Sequence, residues 1–186
     1  MPARPLKAVL ATAIVASLSL AAAPARAGDG PHGHDPKVVA ELAKTYVATA
    51  KYHWEPNALK DGYVPTECVA DPKLGGMGYH YVKESLFGSV DPRKPAALLY
   101  EDGHHGERNL VAVEWIVADA DQKLGTDGDR PSMFGVPFDG PMPGHAPGMP
   151  VHYELHAWLH KKNPKGLFAP WNPRVKCPKA TPAPKR

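Results

Sequence analysis

Residues 151–160 read Val-His-Tyr-Glu-Leu-His-Ala-Trp-Leu-His, and the alternation is strict. In an extended strand, Val151, Tyr153, Leu155, Ala157 and Leu159 share one face, and His152, Glu154, His156, Trp158 and His160 share the other. An apolar face is ordinary. A second face of three imidazoles, a carboxylate and an indole is not, because those groups ligate metals and move protons. The pattern points to a site and names no reaction.

Two other strand-like runs are interrupted by ionisable groups. Glu114 stands within Leu110-Val111-Ala112-Val113-Glu114-Trp115-Ile116-Val117. Such a carboxylate either faces solvent from a one-sided sheet or is buried, and then it is paired, protonated or bound to a cation. His80 lies between Tyr79 and Tyr81, which point the opposite way. It fits a hydrogen-bonded core histidine as well as a ligand. Set on neighbouring strands of one face, His80, Glu114 and His156 make two imidazoles and a carboxylate. That set suits a divalent transition metal such as copper, iron or zinc, with manganese a further fit, and leaves positions for water or substrate.

Glu154 lies about 7 Å along the strand from His156, so the two can share an ion. It is the candidate catalytic base, or the group that orients a ligand. His152 is about 13 Å from His156, too far for a common ion without a bulge. It reads as a second-tier ligand, or as part of a lid site with His145 in the segment Met142-Pro143-Gly144-His145-Ala146-Pro147-Gly148-Met149. The alternative for His145 is a plain structured loop. His104 and His105 read as exposed turn residues, His160 as solvated, and His53 as a core or capping histidine. Walker, G-x-G-x-x-G, G-x-S-x-G and H-E-x-x-H patterns are missing, as is a c-type haem motif.

The elements that must position these groups follow from local pattern. Asp35-Pro36 is an N-cap and first-turn proline. Val38, Val39, Leu42, Tyr46, Ala50 and His53 or Trp54 then recur at helical spacing. The helix is expected to kink at Pro56 and stop at Asp61-Gly62. Residues 77–82, 96–101, 109–118 and 151–160 read as strands, with turns at Asp102-Gly103 and Asp127-Gly128. Residues 127–150 are rich in Pro and Gly but carry Phe134, Phe138, Met133, Met142 and Met149, which predicts a loop packed over something. Beneath it Tyr79, Tyr81, Trp115 and Trp158 are the candidate lining of a pocket. Helix first and strands later predict one α+β domain over 28–177, a helix on a curled antiparallel sheet, with a disordered tail at 178–186.

Residues 1–27 read as an export signal: Arg4 and Lys7, a small apolar run, then Ala25-Arg26-Ala27. An uncleaved anchor is the alternative. Cleavage predicts a periplasmic or secreted chain. Of 22 basic residues Arg4, Lys7 and Arg26 would leave, so 19 face 19 acidic ones and no basic nucleic-acid footprint remains. In an exported chain the two cysteines, Cys68 and Cys177, are expected to form one disulfide, with two free ligand thiols as the alternative.

The blocks Gly76-Met77-Gly78-Tyr79-His80-Tyr81, Val113-Glu114-Trp115, 144–158 and 163–173 resemble those of a group of small exported bacterial proteins of no established activity, over residues 46–177. The resemblance implies no mechanism. The first reading of function is therefore an exported metal-binding protein with an open mononuclear site, of the kind found in metal-dependent oxidoreductases and hydrolases. The alternatives are a non-enzymatic periplasmic binder of a small ligand and an envelope structural protein.

Overall fold

Asp35 opens helix α1 (Pro36–Thr49) as the sequence predicts: its carboxylate accepts from the Lys37 N–H at 2.8 Å, and Pro36 occupies the first turn. The computed structural model describes residues 35–178; the expected signal, the arm before Asp35 and the tail beyond residue 178 lie outside them. The buried stripe of α1 differs from the expected one. Val38, Leu42, Thr45 and Thr49 turn inward, while Val39 and Tyr46 are about half exposed and Trp54 faces solvent. Threonine is tolerated there because its hydroxyl bonds back into the helix, Thr49 Oγ1 to the Thr45 carbonyl at 2.8 Å. A 3-10 turn (Ala50–His53) and helix α2 (Glu55–Lys60) follow. Pro56 begins α2 rather than kinking a longer helix, and Gly62, at φ +86°, ends it in a conformation that favours glycine.

The strands are β1 (Val64–Asp71), β2 (Gly75–Val82), β3 (Ala97–Asp102), β4 (Arg108–Ala118), β5 (Ser132–Met133), β6 (Val136–Pro137), β7 (Asp139–Met142) and β8 (His152–Ala157). Among the described residues they form a six-stranded antiparallel sheet ordered β1-β2-β3-β4-β8-β7, and a small β5–β6 pair. With α1 and one disulfide this is a single α+β domain, the class the sequence predicts. Strand β1 has no counterpart in the sequence reading. It is a mostly exposed edge strand carrying Pro65, with two register breaks against β2, so it lacks the alternation that reveals a strand.

The sheet is covered on both faces. On the helix side, Tyr81, Leu98, Tyr100, Val113, Trp115, Tyr153 and Leu155 pack with Val38, Tyr52 and Tyr63. Met133, Phe134 and Phe138 join this cluster, so the segment between β4 and β8 packs down as its composition predicts. On the other side a smaller cluster holds Ala96, Ala97, Leu99, Ala112, Ile116, Trp158 and Val175. Val175 belongs to a C-terminal segment bridged to β2 through Gly76 and Asn172. Gly76 admits the close approach: a Cβ there would fall 2.8 Å from the Val175 carbonyl oxygen. Cys68 and Cys177 are joined, tying this segment to β1. No helix among the described residues is long and apolar enough to cross a membrane.

Candidate metal centre

The register of the sheet decides which ionisable groups meet. Glu114 on β4 pairs with His156 on β8, Ile116 with Glu154, and Ala118 with His152. Directly opposed residues in an antiparallel pair share a face. On its other side Glu114 pairs with Ala97 of β3, and Leu99 of β3 pairs with both Ala112 and His80 of β2. His80 is therefore two strands from Glu114. The small side chains of Ala97 and Ala112 leave the way between them open. His80 Nε2 lies 3.6 Å from Glu114 Oε2, and His156 Nε2 lies 3.5 Å from Glu114 Oε1. Ligand atoms of all three fall within 4.8 Å of one another.

The alternative of a solvent-facing Glu114 fails, because the residue is 2% exposed and His156 is wholly buried. Neither nitrogen of His156 nor Glu114 Oε2 has a hydrogen-bond partner among the described residues. A buried polar atom left alone costs about 1–3 kcal/mol, more for a charged group. Burial pushes the Glu114 carboxyl well above its usual range, and the charge of neighbouring Glu154 pushes the same way. Burial pulls the His156 imidazole down. Burial, joined by the charge of His156, pulls His80 down to about 4. Both rings are thus neutral near pH 7 and offer lone pairs, the form that binds a metal.

A second group lies one step along the same face. His152 Nε2 is 2.8 Å from Glu154 Oε1, and His145 Nδ1 is 3.4 Å from the same oxygen. These three also lie within 4.8 Å of one another. His152 Nδ1 meets the Pro150 carbonyl at 2.9 Å. Burial works to lower the His152 pKa, but the Glu154 and Pro150 contacts outweigh it and raise it. Burial works to raise Glu154; the His152 hydrogen bond and the charges of His156, His145 and His152 reverse that, so this carboxyl is held below its usual range. Of the two neighbouring carboxyls, Glu154 keeps the negative charge and Glu114 stays protonated without a cation.

The four candidate pocket rings do not converge. Tyr81 and Trp115 belong to the helix-side core, with Tyr79 packed against it, whereas Trp158 lies in the opposite cluster. Each has a structural partner: Tyr79 Oη donates to Asp102, Tyr81 Oη to Glu55, Trp115 Nε1 to the Asp91 carbonyl and Trp158 Nε1 to the Ala169 carbonyl. His160 is not solvated. It stacks on Tyr46 and bonds to His53 and Thr49, beneath α1. His53 itself is exposed, and His104 and His105 are exposed turn residues as expected. Pro150 went unnoticed in the sequence, since no local pattern shows which ring a backbone carbonyl will meet. Ala97, which pairs with Glu114, is a small residue at the start of β3. No family model, curated protein or solved structure matches the chain.

Proposed function

We propose that this is an exported metalloprotein in which His80, Glu114 and His156 hold one divalent transition ion, copper, iron or zinc, at a site with open positions. The observation that carries this reading is the wholly buried His156 ring, both of whose nitrogens lack partners beside the unpartnered Glu114 oxygen. The spacing supports it. Ligand bonds of about 2.0–2.1 Å at a tetrahedral angle set neighbouring ligand atoms about 3.4 Å apart. The His–Glu separations of 3.5 and 3.6 Å are close to that edge and too long for good hydrogen bonds. Three protein ligands leave the rest of the coordination shell to water or substrate, as in metal-dependent oxidoreductases and hydrolases. Glu154, ionised and adjacent, is the group placed to accept a proton. The disulfide and the signal-like residues 1–27 support export.

The small-ligand alternative loses its lining, because its four rings are divided between the two sides of the sheet. An envelope structural role leaves the unpartnered His156 without a reason. Elemental analysis of the mature protein, purified without chelator or affinity tag, tests the reading. The expected result is near one equivalent of a transition metal in this site after reconstitution, lost in His156→Ala. Less than about a tenth of an equivalent would overturn it.

A further inference from the structure

We propose that His145, His152 and Glu154 form a second transition-metal site, next to the first, so that the loaded face carries two ions. The site has its own geometric support; its pairing with a neighbour rests on the reading of His80, Glu114 and His156 given above, and with the second ion bound Glu154 is a ligand rather than the proton acceptor.

The convergence of His145 Nδ1 and His152 Nε2 on one Glu154 oxygen carries the inference, and the donor and acceptor accounting at His152 agrees with it. A backbone carbonyl only accepts, so the Pro150 contact puts the ring proton on Nδ1. Nε2 then presents a lone pair to Glu154 Oε1 at 2.8 Å, where two acceptors face each other inside the fold. Something positive must lie between them, a second ring proton or a metal ion. A metal-bound histidine usually donates its far ring N–H to a backbone carbonyl or carboxylate, as His152 Nδ1 does to Pro150.

A third ligand is already aimed at that point. His145 Nδ1 stands 3.4 Å from the same Glu154 oxygen, the spacing of two ligands on one ion. Its ring meets His152 edge-on, with centroids 4.9 Å apart. The turn that delivers it is closed by the Met149 N–H on the Ala146 carbonyl, and a Cβ on Gly144 would fall 2.0 Å from the Met149 carbonyl oxygen. The loop is thus pinched shut between Gly144 and Met149, and His145 near its head meets Glu154 and His152 of β8. The His145 side chain is about half exposed, so this end of the face is open for an ion to enter.

The two sets are neighbours by register. The pair Ile116–Glu154 follows Glu114–His156 on the same face, one repeat of about 7 Å along the strands. Glu114 and Glu154 are diagonal neighbours, placed to link two ions.

The test is metal stoichiometry of the full mature chain, without tag, titrated with Zn(II) and separately with Cu(II), with His145→Ala, His152→Gln and His156→Ala variants alongside. His104 and His105 are exposed residues of another turn, and every variant keeps the full set of other histidines, so differences between variants carry the result. Expected are two tight equivalents in the native chain, one in His145→Ala and one in His156→Ala. In the native chain Cu(II) should give the broadened resonance of two coupled ions, replaced by an isolated Cu(II) signal in either variant. His145 is a loop residue with half its side chain in solvent, so its removal spares the fold; His152→Gln keeps the volume of the buried position. A single equivalent untouched by His145→Ala and His152→Gln overturns the second site and leaves the first standing. A single equivalent lost in His145→Ala but kept in His156→Ala upholds the second site and overturns the first. No tight equivalent at all overturns both.

Discussion

Both faces of the six-stranded sheet take polar groups out of water, and they satisfy them differently. On the helix side Tyr100 donates to the Tyr52 carbonyl at 2.8 Å, Tyr63 to the Pro95 carbonyl at 2.9 Å, and Trp115 to the Asp91 carbonyl at 3.0 Å. Each polar tip has one partner that belongs to the fold. On the opposite face His156 and Glu114 lie equally deep and lack such partners. The two histidine pairs repeat the contrast. His53 and His160 meet nitrogen to nitrogen at 3.0 Å, with Thr49 completing the network. His80 and His156 stand edge-on with centroids 6.4 Å apart and the Glu114 carboxyl between them. Buried polar groups that serve stability are closed into hydrogen bonds; those that serve a ligand are left facing a common point.

The contrast can be broken or sharpened at several strengths. The largest effect is expected from the Cys68–Cys177 bond, which closes a separation of 109 residues and ties down the segment over the histidine face. Replacing both cysteines by alanine should remove about 4–5 kcal/mol of stability in denaturant unfolding. Metal affinity should fall with it, because the cover of that face is anchored there.

Next comes the ion itself. Zn(II) at about a thousand times its dissociation constant should raise the unfolding free energy by about 4 kcal/mol for each occupied site. The gain should vanish in His156→Ala with His145→Ala and persist in His53→Ala. A gain that depends on His53 would erase the distinction between the two histidine pairs.

Substitutions that remove a polar group should then differ in sign between the faces. Glu114→Leu takes away a buried carboxyl without a full set of partners, so the metal-free protein should become more stable, by about 1–3 kcal/mol, while losing metal. Tyr100→Phe strands the Tyr52 carbonyl and should lose about 1 kcal/mol. Thermal unfolding of the metal-free variants compares them directly. Destabilisation in both would place Glu114 among the structural groups.

The faces can be compared in pH response as well. Burial, with His53 adding to it, pulls His160 down to about 4 from an ordinary 6.5. Between those values the unfolded chain binds a proton that the folded chain refuses, so stability is full above pH 6.5 and falls as the pH drops toward 4. In metal-free protein the neutral His80, also at about 4, adds to the same slope. His160→Gln should flatten part of the stability profile in that window. An unchanged profile would mean that His160 is as open to water as its sequence position implies.

How much of this was legible in the chain varies by element. The N-cap at Asp35, the strands around residues 80, 99, 114 and 155, and the alternation of His152, Glu154 and His156 all follow from local rules of spacing, and the structure keeps them. Hydropathy ranks Val39 and Tyr46 above Thr45 and Thr49 and so points the wrong stripe of α1 inward, whereas a threonine that bonds its own helix buries easily. Strand β1 was invisible because an exposed edge has no face to encode. His160 was assigned to water because it follows a strand end, and the helix that covers it comes from more than a hundred residues away.

By itself the sequence determined which residues share a face within each strand, because the pleat alternates side chains whatever the partner. It determined as well that an ionisable set interrupts otherwise apolar strands. Tertiary structure alone decided that β8 lies against β4, that His80 reaches Glu114 past two alanines, and that His145 folds back over Glu154. Those outcomes depend on which distant segments bury one another and in what register, and no local spacing carries that information.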